Sequence, residues 1–492
     1  MTAGVFIIFL FLFIPLIVGF IAATKSKSTS SDYFIQGRGM GSVAAFFTVA
    51  ATWWSSFAFL GSNASFYTDG PVYLTAFGWN ILFGYLYYLV GKRIWYLGKR
   101  FNYVTPSDFM GDFYNNEKLR IIVGVIVTVF TIPYLQIQLT GGAYLIEVTS
   151  GGLIPFWLAA LLFYLVIIIY VWVGGIRAIA WTDLIYGAIL IFGLLFSGLY
   201  LSNLVGGPTA LFDQMKNLHP EHLTLPGPEG TSGFSRWISL CIVTAIGAIM
   251  GPQLWLRMYA VKNSKLFNLM PFLISLIAIS YIGSVLVGWT GIIEMPGVEN
   301  PDQILPLMVM KHMPIAIGAI VLAAGASAAM STANSQIHAV STVVTKDFYL
   351  RYKNPKASDR RVIQFSRYAL LLFSIIAYFM ALFVPGVLVT IGLVAFGGTA
   401  QLIVPTIGAL FWKRSNANGA IAGLIAGVAV TILFTFIPGL NSPLELDPAL
   451  WGLAINAVLF IVISLTTAPR DQETIEKFDE AILDFKGNVD MK

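Results

Sequence analysis

The chain has 492 residues, of which 57% are hydrophobic and only 11% are charged, and its mean hydropathy is +0.79. Apolar runs near the ~20 residues needed to cross a bilayer recur throughout, which excludes a soluble protein. The formal net charge of +5 is attributed to basic loops at a membrane surface rather than to a nucleic-acid site. A single cysteine, Cys241, excludes an intrachain disulfide and a cysteine metal cluster.

Hydropathy predicts an all-α polytopic membrane protein with thirteen transmembrane helices. The first apolar segment is interpreted as a retained helix, because its charges follow the apolar stretch and none precede it. The candidate spans lie near residues 3–23, 40–68, 73–97, 120–148, 154–174, 179–203, 234–260, 265–292, 314–345, 361–384, 386–411, 416–437 and 446–467.

The distribution of basic residues predicts the orientation in the membrane. Of the 29 Lys and Arg residues, only Lys216, Arg236 and Lys311 fall on the predicted outer side. Cytoplasmic loops carry the excess of basic residues in membrane proteins. We therefore expect an N-terminus outside, a cytoplasmic C-terminus and a multi-pass protein of the cell (inner) membrane.

The second span is predicted to be a broken helix. Polar and small residues interrupt it near Thr52, Ser55 and Ser56, where they compete for backbone hydrogen bonds. Discontinuous helices expose carbonyls at the bilayer midplane, here those of Ala51 and Trp54. The alternative is a helix that is merely kinked.

Asp183 is a carboxylate about one turn inside the sixth span. Such a residue is costly in a membrane and is by default functional, usually with a cationic partner. The alternative is a hydrated aspartate at the cytoplasmic end, near Arg177. The preceding pair Gly174 and Gly175 predicts a tight turn between two spans.

The loop at residues 204–233 is rich in proline and glycine and contains the sequence HPEH, with His219 and His222. This spacing is interpreted as a surface loop and not as a metal site. No metal other than Na⁺ is predicted for the chain.

The stretch at residues 321–345 combines small residues with hydroxyls and carries no acidic or basic side chain. On a helix, Ala328, Ser331, Asn334 and Ser335 share one face, and Thr332 flanks it. Uncharged oxygens on one face suit a weakly held monovalent cation. Close helix packing with hydroxyls bonded to their own helix is the alternative.

Several motifs together resemble the sodium:solute symporter family, which is solute-carrier-5-like. The matching stretches span residues 32 to 429 and lie at 30–52 (SSDYFIQGRGMGSVAAFFTVAAT), 105–115 (TPSDFMGDFYN), 174–183 (GGIRAIAWTD), 328–332 (AAMST) and 409–429 (ALFWKRSNANGAIAGLIAGVA). The second motif position after Gly174 departs slightly from the family pattern, because Ile176 stands where Leu, Met or Phe is usual.

The resemblance implies a core similar to the leucine-transporter fold, built as an inverted 5+5 repeat with one leading and two trailing helices. The implied parts are 1–39 (leading helix and inner loop), 40–203 (first five-helix repeat), 204–233 (extracellular loop), 234–411 (second five-helix repeat), 412–467 (two trailing helices) and 468–492 (cytoplasmic tail).

The resemblance also implies a sodium site, with Na⁺ as the coupling ion. Its ligands are the carbonyls of Ala51, Trp54 and Ala328 and the hydroxyls of Ser331 and Thr332. A second sodium in some family members implies Asp183, Ser331 and Ser335 here. Asn334 stands where a serine would strengthen that second site, so the sodium count stays open.

The substrate is a small solute, and the motifs are nearest in impression to the monocarboxylate and pantothenate branch. No Arg or Lys is expected mid-membrane, so a carboxylate would be bound by amides, hydroxyls and helix ends. The hydrogen-bonding candidates are Thr52, Ser55, Ser56, Asn80, Gln136, Gln138, Gln253 and Gln401.

Sodium-coupled symport by alternating access is the function that these features favour. A proline, amino-acid or sugar substrate stays open, and proton coupling is a more distant alternative. A channel would need a repeated filter sequence, an enzyme a mid-membrane catalytic constellation, and a sensor a larger cytoplasmic domain. The chain is expected to be a monomer or a weak oligomer, with lipid, sodium and substrate as its partners.

Overall fold

The computed structural model describes residues 3–25, 29–230, 233–384 and 386–486. The chain ends and residues 26–28, 231–232 and 385 lie outside this description. Within the described residues, the regular structure is helical apart from one isolated backbone bridge between Met40 and Val261. The prediction of an all-α protein is confirmed.

Eleven α-helices form the first half of the described chain. They are α1 (Ala3–Thr24), α2 (Ser30–Ile35), α3 (Ser42–Trp53), α4 (Ser56–Phe59), α5 (Gly61–Thr68), α6 (Thr75–Leu86), α7 (Lys92–Phe101), α8 (Pro106–Phe113), α9 (Glu117–Thr149), α10 (Phe156–Ser202) and α11 (Pro208–Leu218).

Twelve more α-helices follow in the second half of the described chain. They are α12 (Phe234–Met250), α13 (Pro252–Ala260), α14 (Lys265–Ile277), α15 (Tyr281–Glu294), α16 (Ile304–His312), α17 (Ile315–Val343), α18 (Asp359–Phe383), α19 (Leu388–Ala400), α20 (Ile403–Phe411), α21 (Ala417–Phe436), α22 (Pro448–Thr466) and α23 (Gln472–Phe485).

Eight helices of the described chain are long and apolar enough to cross a membrane, or ten if each bent pair is counted as one span. Helix α10 covers two of the predicted spans in one run of 47 residues. It is interrupted at Gly175, whose φ of +54° suits glycine and whose missing side chain leaves room for Tyr33. The turn predicted at Gly174 and Gly175 is therefore present.

Two spans are broken helices, and they stand at the beginning of the two predicted repeats. The run Ser42–Trp53 meets Ser56–Thr68 at 63°, and Phe234–Met250 meets Pro252–Ala260 at 54°. Proline at the first position of α13 fits the start of a new helix, because its missing amide has no partner to lose. The broken second span was predicted from its sequence, whereas the break at Gly251 was not.

Helix α17 lies at the centre of the bundle, with residues 321–343 all buried. Its small side chains allow α3, α9, α10 and α13 to pack closely around it. The helices α21 and α22 lie at the periphery. Only 33% and 28% of the residues in their most apolar 18-residue stretches are buried, compared with 78% for α17. The oxygen-rich face of α17 is thus surrounded by protein rather than lipid.

The polar tail forms one amphipathic helix, α23, which packs against the loops on the predicted cytoplasmic side. The rings of Phe478 and Phe113 lie 4.7 Å apart, and those of Phe485 and Tyr96 lie 5.4 Å apart. Asp471 caps the start of the helix by accepting the Thr474 amide at 2.8 Å. The tail is therefore attached to the transmembrane core through α7 and α8.

Candidate functional site

The break between α3 and α4 diverts two backbone amides from their helical partners. The Ser55 amide donates to the Trp53 carbonyl at 3.1 Å, and the Ser56 amide donates to the Gln138 side-chain oxygen at 2.9 Å. The Ser55 hydroxyl accepts the Phe57 amide at 3.2 Å and so caps α4. Serine favours such caps over helix interiors, which explains why the helix breaks here.

The two carbonyls that lose these amides accept hydrogen bonds from hydroxyls of α17. The Ser331 hydroxyl donates to the Ala51 carbonyl at 2.7 Å, and the Thr332 hydroxyl donates to the Thr52 carbonyl at 3.1 Å. The Ala328 carbonyl lies 3.1 Å from the Ser331 hydroxyl. All five residues are buried. This group consists of uncharged oxygens, which are the ligand type that hard cations take.

Trp54, the remaining residue predicted for the sodium site, lies at the break itself as the C-cap of α3. Its indole donates to the Ser280 hydroxyl at 3.0 Å and its ring lies 5.7 Å from the Tyr281 ring. These contacts hold the broken stretch against the junction of α14 and α15.

Asp183 forms a buried ion pair with Arg257, a residue of α13. An Arg257 nitrogen lies 3.2 Å from the Asp183 carboxylate, and the Thr48 hydroxyl donates to the same carboxylate oxygen at 2.5 Å. Asp183 is fully buried and Arg257 is 2% exposed. The expectation that no Arg or Lys lies mid-membrane is wrong, because α13 carries Arg257 back into the bundle.

Arg177 is not the cationic partner of Asp183. Its guanidinium pairs with Asp32 at 2.6 Å, at the start of the chain segment that leads into α3. The alternative that Asp183 is a hydrated cytoplasmic aspartate beside Arg177 is therefore wrong. Asp183 has a cationic partner, as an intramembrane carboxylate usually does.

The guanidinium of Arg257 also contacts the other residues expected at a second sodium. It donates to the Ser335 hydroxyl, to the Thr48 hydroxyl at 3.0 Å and to the Gln253 carbonyl at 3.0 Å. The Ser335 hydroxyl lies 3.2 Å from that of Thr52. A cation of the protein itself therefore lies between Asp183 and Ser335.

Two sequence signals point to Arg257 in retrospect. Gly251 and Pro252 interrupt an otherwise helical run, which places the following residues on a second broken helix. A carboxylate inside the membrane, such as Asp183, also requires a cation at a similar depth in the membrane. Arg257 is the basic residue of that run, but its pairing joins positions 74 apart and depends on the tertiary packing.

Several substrate candidates lie around the same break. Besides its contact with the Ser56 amide, Gln138 donates to the Tyr134 carbonyl at 3.1 Å. The Tyr134 hydroxyl donates to Ser55 at 3.1 Å. The Ser56 hydroxyl is buried and has no hydrogen-bond partner. These groups connect α3 and α4 to the middle of α9.

Asn80 contacts the break through Trp53, whereas Gln136 points to a different neighbour. The Trp53 indole donates to the Asn80 oxygen at 2.6 Å, and stacks on Phe83 with ring centroids 4.3 Å apart. The Gln136 amide donates to the Val384 carbonyl at 2.6 Å, while its oxygen is buried without a partner. Gln136 thus faces the end of α18.

Gln401 is turned toward the peripheral helices instead. Its amide donates to the Ala449 carbonyl at 3.2 Å, and Asn456 of α22 donates to its backbone carbonyl at 2.8 Å. Its contacts attach α19 to α22. The structure does not bring Gln401 together with the other substrate candidates.

A small internal cavity lies where α9, the α12–α13 break and α19 meet. The Gln253 side-chain oxygen is buried there without a hydrogen-bond partner. The Thr399 hydroxyl donates to the Gly247 carbonyl at 2.8 Å. The lining residues are Phe130, Thr131, Tyr134, Gly247, Gly251, Gln253, Ala395, Phe396 and Thr399. The cavity volume of about 10 Å³ is enough for one water molecule, so in this conformation it is too small for an organic solute.

This fold is shared with solved transporters. A sodium-coupled sialic acid symporter superposes with a TM-score of 0.80 over 95% of this chain and 99% of that chain, at 20% identity. Structural neighbours of this kind have the leucine-transporter fold, as the sequence resemblance implied. The class that the fold defines is a multi-pass helical membrane protein, with two broken helices among the described residues.

The model of the sodium:solute symporter family matches residues 33–427, and the chain belongs to this family. A sodium/pantothenate symporter of Haemophilus influenzae is 31% identical, over 86% of this chain and 88% of the relative. A sodium/proline symporter of Staphylococcus aureus is 26% identical, over 92% and 91%. The protein is therefore a sodium-coupled symporter and not an enzyme, and sodium is its coupling ion.

Proposed function

We propose that this chain imports a pantothenate-like organic acid together with sodium by alternating access. The relative with 31% identity over 86% of the chain is a sodium/pantothenate symporter, and this observation supports the substrate class. Pantothenate combines a carboxylate, an amide and hydroxyls. Its recognition requires several hydrogen-bonding side chains rather than one strong charge.

The proposed sodium site is formed by the Ala51, Trp54 and Ala328 carbonyls and the Ser331 and Thr332 hydroxyls. The observation that supports it most directly is that both hydroxyls reach carbonyls freed by the α3 break. Sodium between these oxygens would bridge α3 and α17. This bridge would stabilise the arrangement that is open to the outside and would complete the substrate pocket.

We propose one sodium ion per substrate. The Asp183 and Ser335 side chains, expected as ligands of a second sodium, both contact the Arg257 guanidinium. A fixed positive charge at that position repels another cation and leaves few oxygens free. An ionised monocarboxylate carries one negative charge at neutral pH, so transport with one sodium is electroneutral and is driven by the sodium concentration gradient.

The substrate site is proposed around the small cavity between α9, the α12–α13 break and α19, with Gln253 and Tyr134 as polar partners, and this cavity would have to widen from about 10 Å³ to admit a solute. The buried, unpartnered oxygen of Gln253 supports this placement, because such a group otherwise carries a cost that a ligand relieves. Thr52, Ser55, Ser56, Asn80 and Gln138 would support the pocket from the α3 break, and Gln136 from the end of α18.

The proposed topology has thirteen crossings, with an outer N-terminus and a cytoplasmic C-terminus. The one-sided distribution of basic residues supports it. In this orientation the loop at residues 204–233 lies outside and α23 lies inside. The functional unit is proposed to be a monomer.

The test is uptake of radiolabelled pantothenate into proteoliposomes with an inward gradient of sodium or, as control, of choline. We expect saturable uptake that requires sodium and is competed by unlabelled pantothenate more strongly than by short monocarboxylates, proline or glucose. Sodium-dependent proline uptake that pantothenate does not compete would replace this substrate with the second candidate. The 26% identity to a sodium/proline symporter over 92% of the chain favours proline as that candidate.

A further inference from the structure

A turn in the loop between α10 and α12 brings three potential metal ligands together. His219 follows α11, and a 3₁₀ turn at Pro220–Leu223 carries Glu221 and His222. One ligand atom from each of the three side chains lies within 4.8 Å of the others. They form the one such group that the described residues contain.

The distances in this group match metal ligation better than hydrogen bonding. The Glu221 carboxylate lies 3.5 Å from His219 Nδ1 and 3.4 Å from His222 Nδ1. Hydrogen bonds between nitrogen and oxygen are normally shorter, near 2.7–3.2 Å. Ligands held 2.0–2.1 Å from a tetrahedral zinc are ~3.3 Å apart. Two of the ligand-to-ligand distances expected around a tetrahedral zinc are therefore already present.

His222 provides an independent sign of a missing ligand. His222 is only 8% exposed, and its Nδ1 atom has no hydrogen-bond partner. The ring lies near the Tyr67 backbone carbonyl, a suitable acceptor for its second nitrogen. A metal-bound histidine usually donates its second nitrogen in this way.

The turn lies directly on the outer end of the broken span. The Cα of His222 lies 3.3 Å from the place that a side chain on Gly70 would occupy, immediately after α5. Tyr67 of α5 also connects to the next loop, because its hydroxyl donates to the Met295 carbonyl at 2.8 Å and accepts the Val298 amide at 3.0 Å. A metal on this turn would hold the loop in the arrangement that contacts α5.

We propose that His219, Glu221 and His222 form a site for a zinc-like transition-metal ion that fixes the outer loop against the end of α5. Two imidazoles and one carboxylate favour zinc, nickel or copper over calcium or magnesium, which prefer oxygen ligands. Water would complete the coordination. The bound metal would slow uptake, since the loop would have to move with the outer end of the broken helix during transport.

The first test is calorimetric titration of Zn²⁺ into purified, tag-free protein without sodium or substrate, so that it is independent of the proposed function. We expect binding of one ion, no binding of Mg²⁺, and loss of at least tenfold in Zn²⁺ affinity in His219→Ala and in Glu221→Gln. Both side chains are partly exposed, at 35% and 44%, so these variants should fold.

His312→Ala is the matched control, because His312 lies 3.9 Å from Glu294 and belongs to no group of three ligands among the described residues. It should bind Zn²⁺ like the parent. Absence of binding by the parent, unchanged affinity in both loop variants, or equal loss in the His312 variant would overturn the site. In proteoliposomes, micromolar Zn²⁺ should slow sodium-dependent uptake of the parent but not of His219→Ala; equal inhibition of both would overturn the effect on transport.

Discussion

Two clusters of oxygen atoms lie one turn apart on α17, and they differ in whether charged side chains take part. At Ser331 and Thr332, hydroxyls meet the backbone carbonyls of α3, and no charged side chain takes part. At Ser335, the hydroxyl shares the Arg257 guanidinium with the Asp183 carboxylate. The neutral cluster can take up and release a cation. The charged cluster already contains a cation, the Arg257 guanidinium. Removing either Arg257 or Asp183 leaves the other as an unpaired buried charge.

The comparison suggests that a carboxylate alone does not identify an ion site in this fold. Asp183 is the more conspicuous residue in the sequence, but its partner is a permanent cation of the protein. A transported ion must leave on the inner side, which is easier from weak, uncharged ligands than from a full countercharge. The exchangeable ion is therefore expected at the neutral cluster.

The largest effect is expected at the charged cluster. Arg257→Gln leaves Asp183 buried without its cation and should lower the free energy of unfolding by ~3–5 kcal/mol. Sodium should then stabilise the variant more steeply than the parent, because it can take the place of the guanidinium between Asp183 and Ser335. Thermal unfolding at a series of sodium concentrations measures both effects.

The double variant Arg257→Gln with Asp183→Asn is the control for that change. It removes both charges and should recover most of the lost stability without the extra sodium dependence. If Arg257→Gln unfolded like the parent and with the same sodium dependence, the guanidinium would not be what occupies the second cation position.

The next largest effect is expected at the neutral cluster. Ser331→Ala with Thr332→Ala removes two sodium ligands, and ~1.4 kcal/mol for each ligand corresponds to roughly 100-fold weaker sodium binding. Uptake in proteoliposomes should need correspondingly more sodium for half-saturation. The Arg257 pair should stay intact, but the Ala51 and Thr52 carbonyls lose their hydroxyl donors, so the unfolding temperature without sodium should fall by about 2 °C.

Ser327→Ala is the matched control on the same helix. The Ser327 hydroxyl is buried but donates only to the Ala323 carbonyl of its own helix, at 2.8 Å. Its removal should leave the sodium dependence of uptake unchanged. Equal sodium dependence in the double variant and in Ser327→Ala would contradict the proposed site and favour helix packing as the role of these hydroxyls.

Local chemistry made the neutral cluster predictable, whereas the charged cluster depended on tertiary packing. The serines that break α3 act on their own backbone, and the hydroxyls of α17 lie on one face of a single helix, so both features can be inferred from sequence. The ion pair of Asp183 and Arg257 joins two distant helices. Gln401 lies apart from the other substrate candidates for a similar reason, because its position at the end of α19 is fixed by contacts with α22 that the sequence does not reveal.

Another buried carboxylate, Asp302, tests what happens when no cation balances the charge. It precedes α16, and one of its oxygens accepts the Leu388 amide at 3.0 Å while the other has no partner. Burial raises the pKa of Asp302 to about 7. The folded protein therefore retains a proton that the unfolded chain releases near pH 4, so stability falls as the pH rises from about 4 through 7.

Asp302→Asn imitates the protonated form and should remove this pH dependence. At pH 8 the variant should unfold at a temperature roughly 2 °C above that of the parent, and the difference should narrow toward pH 5. A smaller slope should remain from Asp447, because burial raises the pKa of that carboxyl to about 6. Asp213→Asn, a change at an exposed carboxylate on α11, should leave the profile unchanged; identical profiles for the two variants would contradict the assignment.

The smallest effect is expected from Asn334→Ser, the change that would make α17 a richer source of ligands for a second sodium. Asn334 donates to the Tyr170 hydroxyl at 2.5 Å and accepts the Ser335 hydroxyl at 2.8 Å, so its loss should cost ~1 kcal/mol of stability. The ratio of transported charge to substrate should nevertheless stay at the parent value, because Arg257 still fills the position. A rise in this ratio toward a second sodium would mean that the neighbouring residue, rather than the guanidinium, sets the ion count. If the ratio rises only when Asn334→Ser is combined with Arg257→Gln, the charge on Arg257 decides how many ions this transporter carries.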